Sequence, residues 1–335
     1  MKKLFASALV LLRLCSCGGQ KSSESFFSMD TVMEISAYGK NSETAVKAAR
    51  SEIERLDGLF DRNNENSDVY RLNAHQSDTA DADVLAAAKK ALEISRETDG
   101  AFDFTVTPVM DLWGFYDCNY RVPQTEEIKN ALKTVNYRNV YINGDKIQIT
   151  GNSRLDFGGI AKGYASERAA EILKSYGIKS GVINLGGNVQ TIGSRTDGND
   201  WNIGIADPFN SEDTAAVVKI SDKSVITSGG YQRFFEQNGE TYHHIVNPSD
   251  GCPVKNNIKS VTVISSDSTA ADALSTALFV MGLDRAEKFY KKHSDIDLVI
   301  ISDDKTVYYT KGLLGKINTA DGFRAEEIGK TAESK

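Results

Sequence analysis

Segments of helical spacing and segments of strand character alternate from about residue 26 to about residue 329, with no Pro- or Ser-rich linker between them. This continuity constrains the fold most, because a chain without a break buries all its apolar stripes in one body. Between Ser42 and Phe60, residues Ala45, Ala49, Ile53, Leu56 and Leu59 recur at spacings of three and four, which aligns one helical face. The same reasoning predicts helices over residues 83–98, 125–134, 164–176, 270–281 and 284–293. Strand character appears around Val32, Glu34 and Ser36, in a hairpin about Asn143-Gly144, and over residues 181–185, 201–206, 217–220, 224–227, 242–246, 260–265, 297–301 and 306–309. The apolar-free stretch DRNNENSD and the segment around Trp113 read as loops. Antiparallel-looking strand groups separated by helices predict an α+β fold: a single large domain with mixed or antiparallel sheets and packed helices, not a doubly wound sheet.

Composition narrows the function. Lys plus Arg total 39 against 46 Asp plus Glu, a formal charge of −7, so there is no overall basic field to hold a nucleic acid. Four cysteines in 335 residues are too few for a disulfide framework. Past the first twenty residues no segment approaches the roughly 18 apolar residues of a membrane span.

The N-terminus reads as an address. Lys2 and Lys3 precede the run LFASALVLL and then Leu14-Cys15-Ser16-Cys17-Gly18-Gly19, the anatomy of a secretory signal. A cysteine after a small residue, with Leu three positions before it, resembles the bacterial lipobox. The expectation is a signal peptide over 1–16, lipid on Cys17, a flexible lipidated tether over 17–25, a domain over 26–329 and a tail over 330–335; the alternative is an ordinary cleaved signal with incidental cysteines. Cys118 and Cys252 remain in the folded part; outside the cytoplasm a disulfide between them is one reading, but their separation gives no evidence for it, and unpaired small core thiols are the other.

Three glycine pairs lie beside strands: Gly158-Gly159, Gly186-Gly187 and Gly229-Gly230. Each alone is explained by a tight turn. In DFGGIAKGYA, however, Asp156 precedes the glycines and Lys162 follows at a helix start, a setting that suits a phosphate held through a metal ion. Asp272 and Thr276, four apart on a predicted helix, stack two oxygens on one face; the plainer reading is a solvated or capping acid and a packed threonine. Oxygen donors of this kind select Mg²⁺ or Ca²⁺ over zinc. In YHHIVNPSDGCP, His243 and His244 leave the chain on opposite faces, so at most one reaches a cleft.

Taken in order, SMDT, DGAFDFT, DFGGIAKGYA, NLGGN, ITSGGYQR, HHIVNPSDG and ADALSTALFVMG resemble the ApbE-like FAD:protein FMN transferases over about residues 27–309. The resemblance implies an ApbE-like, T-fold-related domain that binds FAD and Mg²⁺ and moves FMN onto a Ser or Thr hydroxyl of an extracytoplasmic redox protein, releasing AMP. It implies a flavin contact at Met29, where Asp30 replaces the usual glycine, and FAD contacts at Ala101, Phe102, Asp103, Asp156, Lys162 and, through its backbone, Ile245. It implies metal ligation by the Gly159 carbonyl, Asp272 and Thr276, and a role for His244, taken as the general base, with Lys162 assisting electrostatically. Asn247 replaces the more frequent aspartate of the turn after it. Asp61 falls where relatives often place an aromatic residue against FAD; a carboxylate there implies weaker retention and some FAD hydrolysis, whereas a solvated Asp61, with Tyr70 or another aromatic in its place, implies neither.

The implied partners are FAD, the flavin-accepting domain of a membrane redox protein, and the membrane itself through the lipid, with no nucleic acid. The implied location is extracytoplasmic, anchored to a bacterial membrane, at the periplasmic face of a Gram-negative envelope. Two alternatives stand beside the transferase: an FAD pyrophosphatase giving FMN and AMP, and a non-catalytic FAD-binding lipoprotein that needs neither the metal ligands nor His244.

Overall fold

The structure, a computed structural model, describes residues 20–329. The first part of the chain forms β1 (Lys21–Ser28), β2 (Thr31–Tyr38), α1 (Ser42–Phe60), α2 (Asp68–Asn73), α3 (Ala82–Glu97), α4 (Thr107–Trp113), α5 (Thr125–Leu132), β3 (Val140–Asn143) and β4 (Lys146–Ile149). The middle forms α6 (Ala161–Ser175), β5 (Ser180–Leu185), β6 (Asn188–Ile192), β7 (Trp201–Asp207), β8 (Asn210–Ile220), β9 (Ser224–Gly229), β10 (Phe234–Gln237) and β11 (Glu240–His243). The last part forms β12 (Ile258–Ser265), α7 (Ser268–Met281), α8 (Leu283–Tyr290), β13 (Asp297–Ser302), β14 (Thr306–Tyr309), β15 (Ile317–Thr319) and β16 (Arg324–Glu327).

Nine strands make the main sheet, in the order β1-β2-β5-β6-β9-β12-β13-β14-β16, antiparallel throughout except for the parallel β14–β16 pair. Successive residues of its central strands serve two cores, as the two-residue period of a strand dictates. Ile183, Val263, Leu298 and Ile300 face a layer of helices, while Val182, Ile264, Val299 and Ile301 face the small sheet β15-β8-β7. On the helical side α1, α6 and α7 present Ala45, Ala49, Ala165, Ala169, Ala273 and Ala277, all buried. Side chains this short let the helices approach closely, which positions the site below.

The structure differs from the sequence expectation in several places. The segment expected to be tether up to residue 25 is strand from Lys21 onward: Lys21 pairs with Tyr38, and Ser23 Oγ lies 2.9 Å from Ser36 Oγ. Its serines look linker-like in composition, but their backbone completes the sheet edge. The segment expected as a loop around Trp113 is helix α4, held by Trp113 Nε1 donating to Gly251 O at 2.8 Å. Cys118 is exposed, not a core thiol, and both it and Cys252 are free. The signal peptide, Cys17 and residues 330–335 lie outside the described residues.

Candidate functional site

The glycine turns gather at one end of the main sheet. There the β1–β2 hairpin turns through Met29 and Asp30 at φ 45° and 59°, positive values that a two-residue hairpin requires and that only glycine takes freely. Asp57 fixes the turn: its Oδ2 accepts from Ser28 Oγ at 2.8 Å and from Met29 N–H at 2.9 Å. The β5–β6 turn abuts it, since a Cβ on Gly186 would lie 2.5 Å from Thr31 Oγ1. The third pair closes the group, for a Cβ on Gly230 would meet the His243 ring at 2.6 Å.

The segment before α6 is pinned from several sides. Asn73 brackets Leu155, donating to its carbonyl at 2.9 Å and accepting its N–H at 2.6 Å. Phe60 and Phe104 both pack on Phe157, with ring centroids 5.2 and 6.1 Å away. Asp156 is buried, accepts the Gly158 N–H at 2.7 Å, and has its pKa raised by burial, an effect opposed by that hydrogen bond and then by the charges of Arg62 and Arg233. A Cβ on Gly159 would touch Phe102 Cε2 at 3.0 Å and Thr276 Oγ1 at 3.8 Å, so the glycine lets the chain pass between the AFD loop and α7. In that loop Ala101, Phe102 and Asp103 are all buried; Asp103 takes hydrogen bonds from Thr105 and from the Tyr137 N–H, and burial raises its pKa.

Two of the three expected metal ligands share one face of α7. Asp272 is 5% exposed and has no cation in ion-pair range among the described residues; its Oδ2 accepts the Gly163 N–H at 2.8 Å and its Oδ1 accepts from Asn188 Nδ2 at 3.0 Å. Thr276 Oγ1 lies 3.1 Å from Ser228 Oγ, and Gly159 borders it. A buried, uncompensated carboxylate beside a hydroxyl and a bare backbone, with no thiol or imidazole in the set, fits a hard divalent cation such as Mg²⁺.

The two histidines have different partners, His243 as the last residue of β11 and His244 in the bend just beyond it. His243 uses both ring nitrogens: Nε2 donates to Val254 O at 2.9 Å, Nδ1 accepts the Ile245 N–H at 3.3 Å, and the ring packs edge-on against Phe279. His244 is half-buried and uses one, Nδ1, which lies 3.1 Å from Arg233 O. A carbonyl can only accept, so the hydrogen is on Nδ1 and Nε2 keeps its lone pair. Burial, then the charge of Arg233, push the His244 pKa down to about 3; Lys162, half-buried and without a hydrogen bond or ion pair among the described residues, adds to the same effect.

Other expected contacts lie differently. Asp61 is exposed and accepts the Asn63 N–H at 2.8 Å in its own turn. Its neighbour Arg62 does the bridging, donating to Asp111 Oδ1 at 2.7 Å and stacking 3.6 Å above the Tyr116 ring. Asp111 also receives Arg154 at 2.6 Å. Both backbone groups of Ile245 are occupied, the N–H by His243 and the carbonyl by the Val254 N–H. Asn247 shapes its turn: its amide donates to Asp250 Oδ2 at 3.1 Å, a bond an aspartate at this position would replace with repulsion. Sequence reasoning missed Arg62, Asn188 and Arg233; NLGGN and YQR were visible motifs, but nothing in them marked Asn188 as a partner of Asp272 or Arg233 as the carbonyl that orients His244.

Comparison with known proteins places the chain among relatives of one family. A family model described as the ApbE family matches residues 29–300. The chain is 28% identical to the FAD:protein FMN transferase of Treponema pallidum, over 93% of this chain and 94% of that protein. It is 31% identical to one from Klebsiella pneumoniae, over 76% and 81%. Among solved structures it is similar to an ApbE protein from Thermotoga maritima, with TM-score 0.79 and 33% identity over 90% of this chain and 97% of that one. It is also similar to the flavin transferase ApbE from Vibrio cholerae, with TM-score 0.80 and 26% identity over 89% and 100%.

Proposed function

The chain belongs to the ApbE family, and from that premise we propose that it transfers FMN from FAD to a Ser or Thr hydroxyl of a protein acceptor. The observation that carries this reading to particular residues is the His244 ring, neutral and with Nε2 unengaged at the turn end of the sheet. In the proposed step the acceptor oxygen bonds to the FMN phosphorus, the bond from that phosphorus to the bridging oxygen breaks, and the hydroxyl proton passes to His244 Nε2 as AMP leaves. Lys162 and Arg233 offset the negative charge of the pyrophosphate. Asp272, Thr276 and the Gly159 carbonyl are the residues that would hold Mg²⁺, which when bound supplies positive charge beside the phosphate oxygens.

The rival readings have less support. A non-catalytic FAD carrier needs neither an uncompensated buried Asp272 nor a histidine held in one tautomer. The side hydrolysis of FAD expected from a carboxylate at position 61 has less support too, because the Asp61 carboxylate is held within its own exposed turn. The same proposal takes residues 1–16 as a signal peptide and Cys17 as lipidated, which places the enzyme on the extracytoplasmic face of a bacterial membrane with the flavin-accepting domain of a redox membrane protein as its partner. The test is incubation with FAD and Mg²⁺, with and without such a domain, following AMP and covalent flavin by mass spectrometry. Covalent flavin with matching AMP supports transfer; AMP alone replaces it with hydrolysis, and neither product overturns the assignment.

A further inference from the structure

The two ends of the main sheet differ in a way the chemistry above does not require. Met29, Gly186-Gly187 and Gly229-Gly230 lie at one end, and the chain enters at the other. There Gly39 N–H donates to Gln20 O at 2.9 Å, Lys21 pairs with Tyr38, and Tyr38 pairs with Ser180. Cys17 stands four residues before Lys21, a reach of at most about 14 Å fully extended. The eight residues of β1 then span about 25 Å to the turn end.

The entry end carries unmatched positive charge. Lys21, Lys40 and Lys179 are exposed and make no ion pair among the described residues. Tyr176 is 38% exposed beside them, its carbonyl accepting from Asn41 Nδ2 at 3.1 Å. The acids nearby are largely matched: Glu43 by Lys47 at 2.7 Å, Asp222 by Lys174 at 3.0 Å, Asp197 by Arg195 at 3.1 Å and Asp297 by Lys223 at 3.3 Å. Asp200 has no basic partner and accepts from Ser221 Oγ at 2.6 Å. Lysines and an aromatic ring within a short reach of a lipid attachment point are what an anionic phospholipid surface recognises.

We propose that the entry end of the sheet rests on anionic headgroups through Lys21, Lys40 and Lys179, so that the turn end, with His244, faces away from the bilayer. This rests on the reading of Cys17 as the lipidated residue. Its consequence concerns the acceptor: the hydroxyl is presented by a domain standing about 25 Å or more clear of the headgroups, not by a loop lying on them.

The test uses the full chain, produced in a bacterial host with Cys118→Ser and Cys252→Ser. A single donor dye is placed at Thr44→Cys, at the entry end of α1, or at Phe27→Cys, at the turn end, and the acylated protein is reconstituted into phosphatidylglycerol-containing vesicles with an acceptor dye on the headgroups. Energy transfer at least two-fold greater from position 44 than from position 27 is expected; equal or reversed transfer overturns the orientation. In unlipidated Cys17→Ser protein, Lys21→Glu, Lys40→Glu and Lys179→Glu should each weaken binding to these vesicles by about five-fold or more. Unchanged binding overturns the headgroup contact. Wild-type protein that is unacylated by mass and absent from the membrane fraction removes the Cys17 reading and the orientation with it, whereas acylated protein with reversed transfer removes the orientation alone.

Discussion

Gly163 and Asp272 join two helices through one hydrogen bond: the Gly163 N–H, free because it lies in the first turn of α6, donates to Asp272 Oδ2 at 2.8 Å. A carboxylate from α7 thus completes the N-terminus of α6, and Ser268 Oγ returns a bond to Gly163 O at 2.9 Å. The contact exists only because residue 163 has no side chain; a Cβ there would lie 2.3 Å from Ser268 O and 2.6 Å from Asp272 Cβ. Gly163→Ala is expected to push the helices apart at a cost of about 1–3 kcal/mol and to displace Asp272 from the site. Thermal unfolding and FAD cleavage should both suffer, and a variant with wild-type stability and turnover would show that the close approach does not position the carboxylate.

The metal reading is tested more cleanly at Thr276 than at Asp272. Asp272→Ala also strands the Gly163 N–H and the Asn188 amide, each costing about 1–3 kcal/mol, so lost activity there mixes chemistry with folding. Thr276→Ala leaves Ser228 bonded to Ser275 at 2.7 Å and should unfold close to wild type. If Mg²⁺ binds as proposed, it raises the melting temperature of the wild-type protein and supports FAD cleavage, and Thr276→Ala is expected to lose both responses. An unchanged Mg²⁺ response in both measurements would remove Thr276 from the ligand set.

Residues with strong periodicity were legible in the sequence, and those placed by distant partners were not. Helix α1 runs from Ser42 to Phe60 as its apolar spacing predicts, because Ala45, Ala49, Ile53 and Leu56, buried on one face, leave no other register. Helix α4 has Pro108 in its first turn and the left-handed Gly114 at its end, but its seven residues are too few to show a periodic face, and a tertiary bond from Trp113 to Gly251 holds it. Strand β6 follows two glycines and carries Asn188 and Gln190 inward, where burial, not hydrophobicity, makes the strand. At the site, spacing put Asp272 and Thr276 on one helical face and the resemblance singled out His244, while Arg62 passed as part of a polar loop because its partners Asp111 and Tyr116 come from a segment about fifty residues away.

The first hairpin carries strain that one substitution relieves. Asp30 sits at φ 59°, in the left-handed region, with its side chain exposed. Asp30→Gly removes the Cβ clash of that conformation and gives back some unfolded-chain entropy, for a net gain of about 0.5–1 kcal/mol. A higher denaturation midpoint with unchanged slope is the expected outcome; a lower midpoint would mean that the Asp30 carboxylate makes a stabilising interaction in the folded chain.

The protonation behaviour of the two histidines separates their roles. Both are held below the ordinary histidine value chiefly by burial, His244 to about 3 with Arg233 adding to the effect. A base with a depressed folded pKa binds its proton more readily in the unfolded chain, so its contribution to stability is complete above about pH 6.5 and is lost as the pH falls below that value. The buried acids Asp103 and Asp156 and the half-buried Glu167 act in the opposite sense, since their raised values favour proton uptake by the folded chain as the pH drops. Comparing variants isolates the histidines. His243→Gln should lose stability at pH 7, because Val254 O and the Ile245 N–H lose their ring partner, and should flatten the fall between pH 6.5 and 4, yet keep turnover per folded molecule. His244→Gln should flatten the same fall while lowering kcat by about 10²-fold or more at unchanged FAD affinity. In the wild-type enzyme kcat/KM for FAD should show no acidic limb near pH 6.5, because His244 is already unprotonated there. A limb with that midpoint, absent from His244→Gln, would mean that solvent reaches the ring far more than its surroundings indicate, and equal losses of kcat in the two variants would end the assignment of His244 as the base.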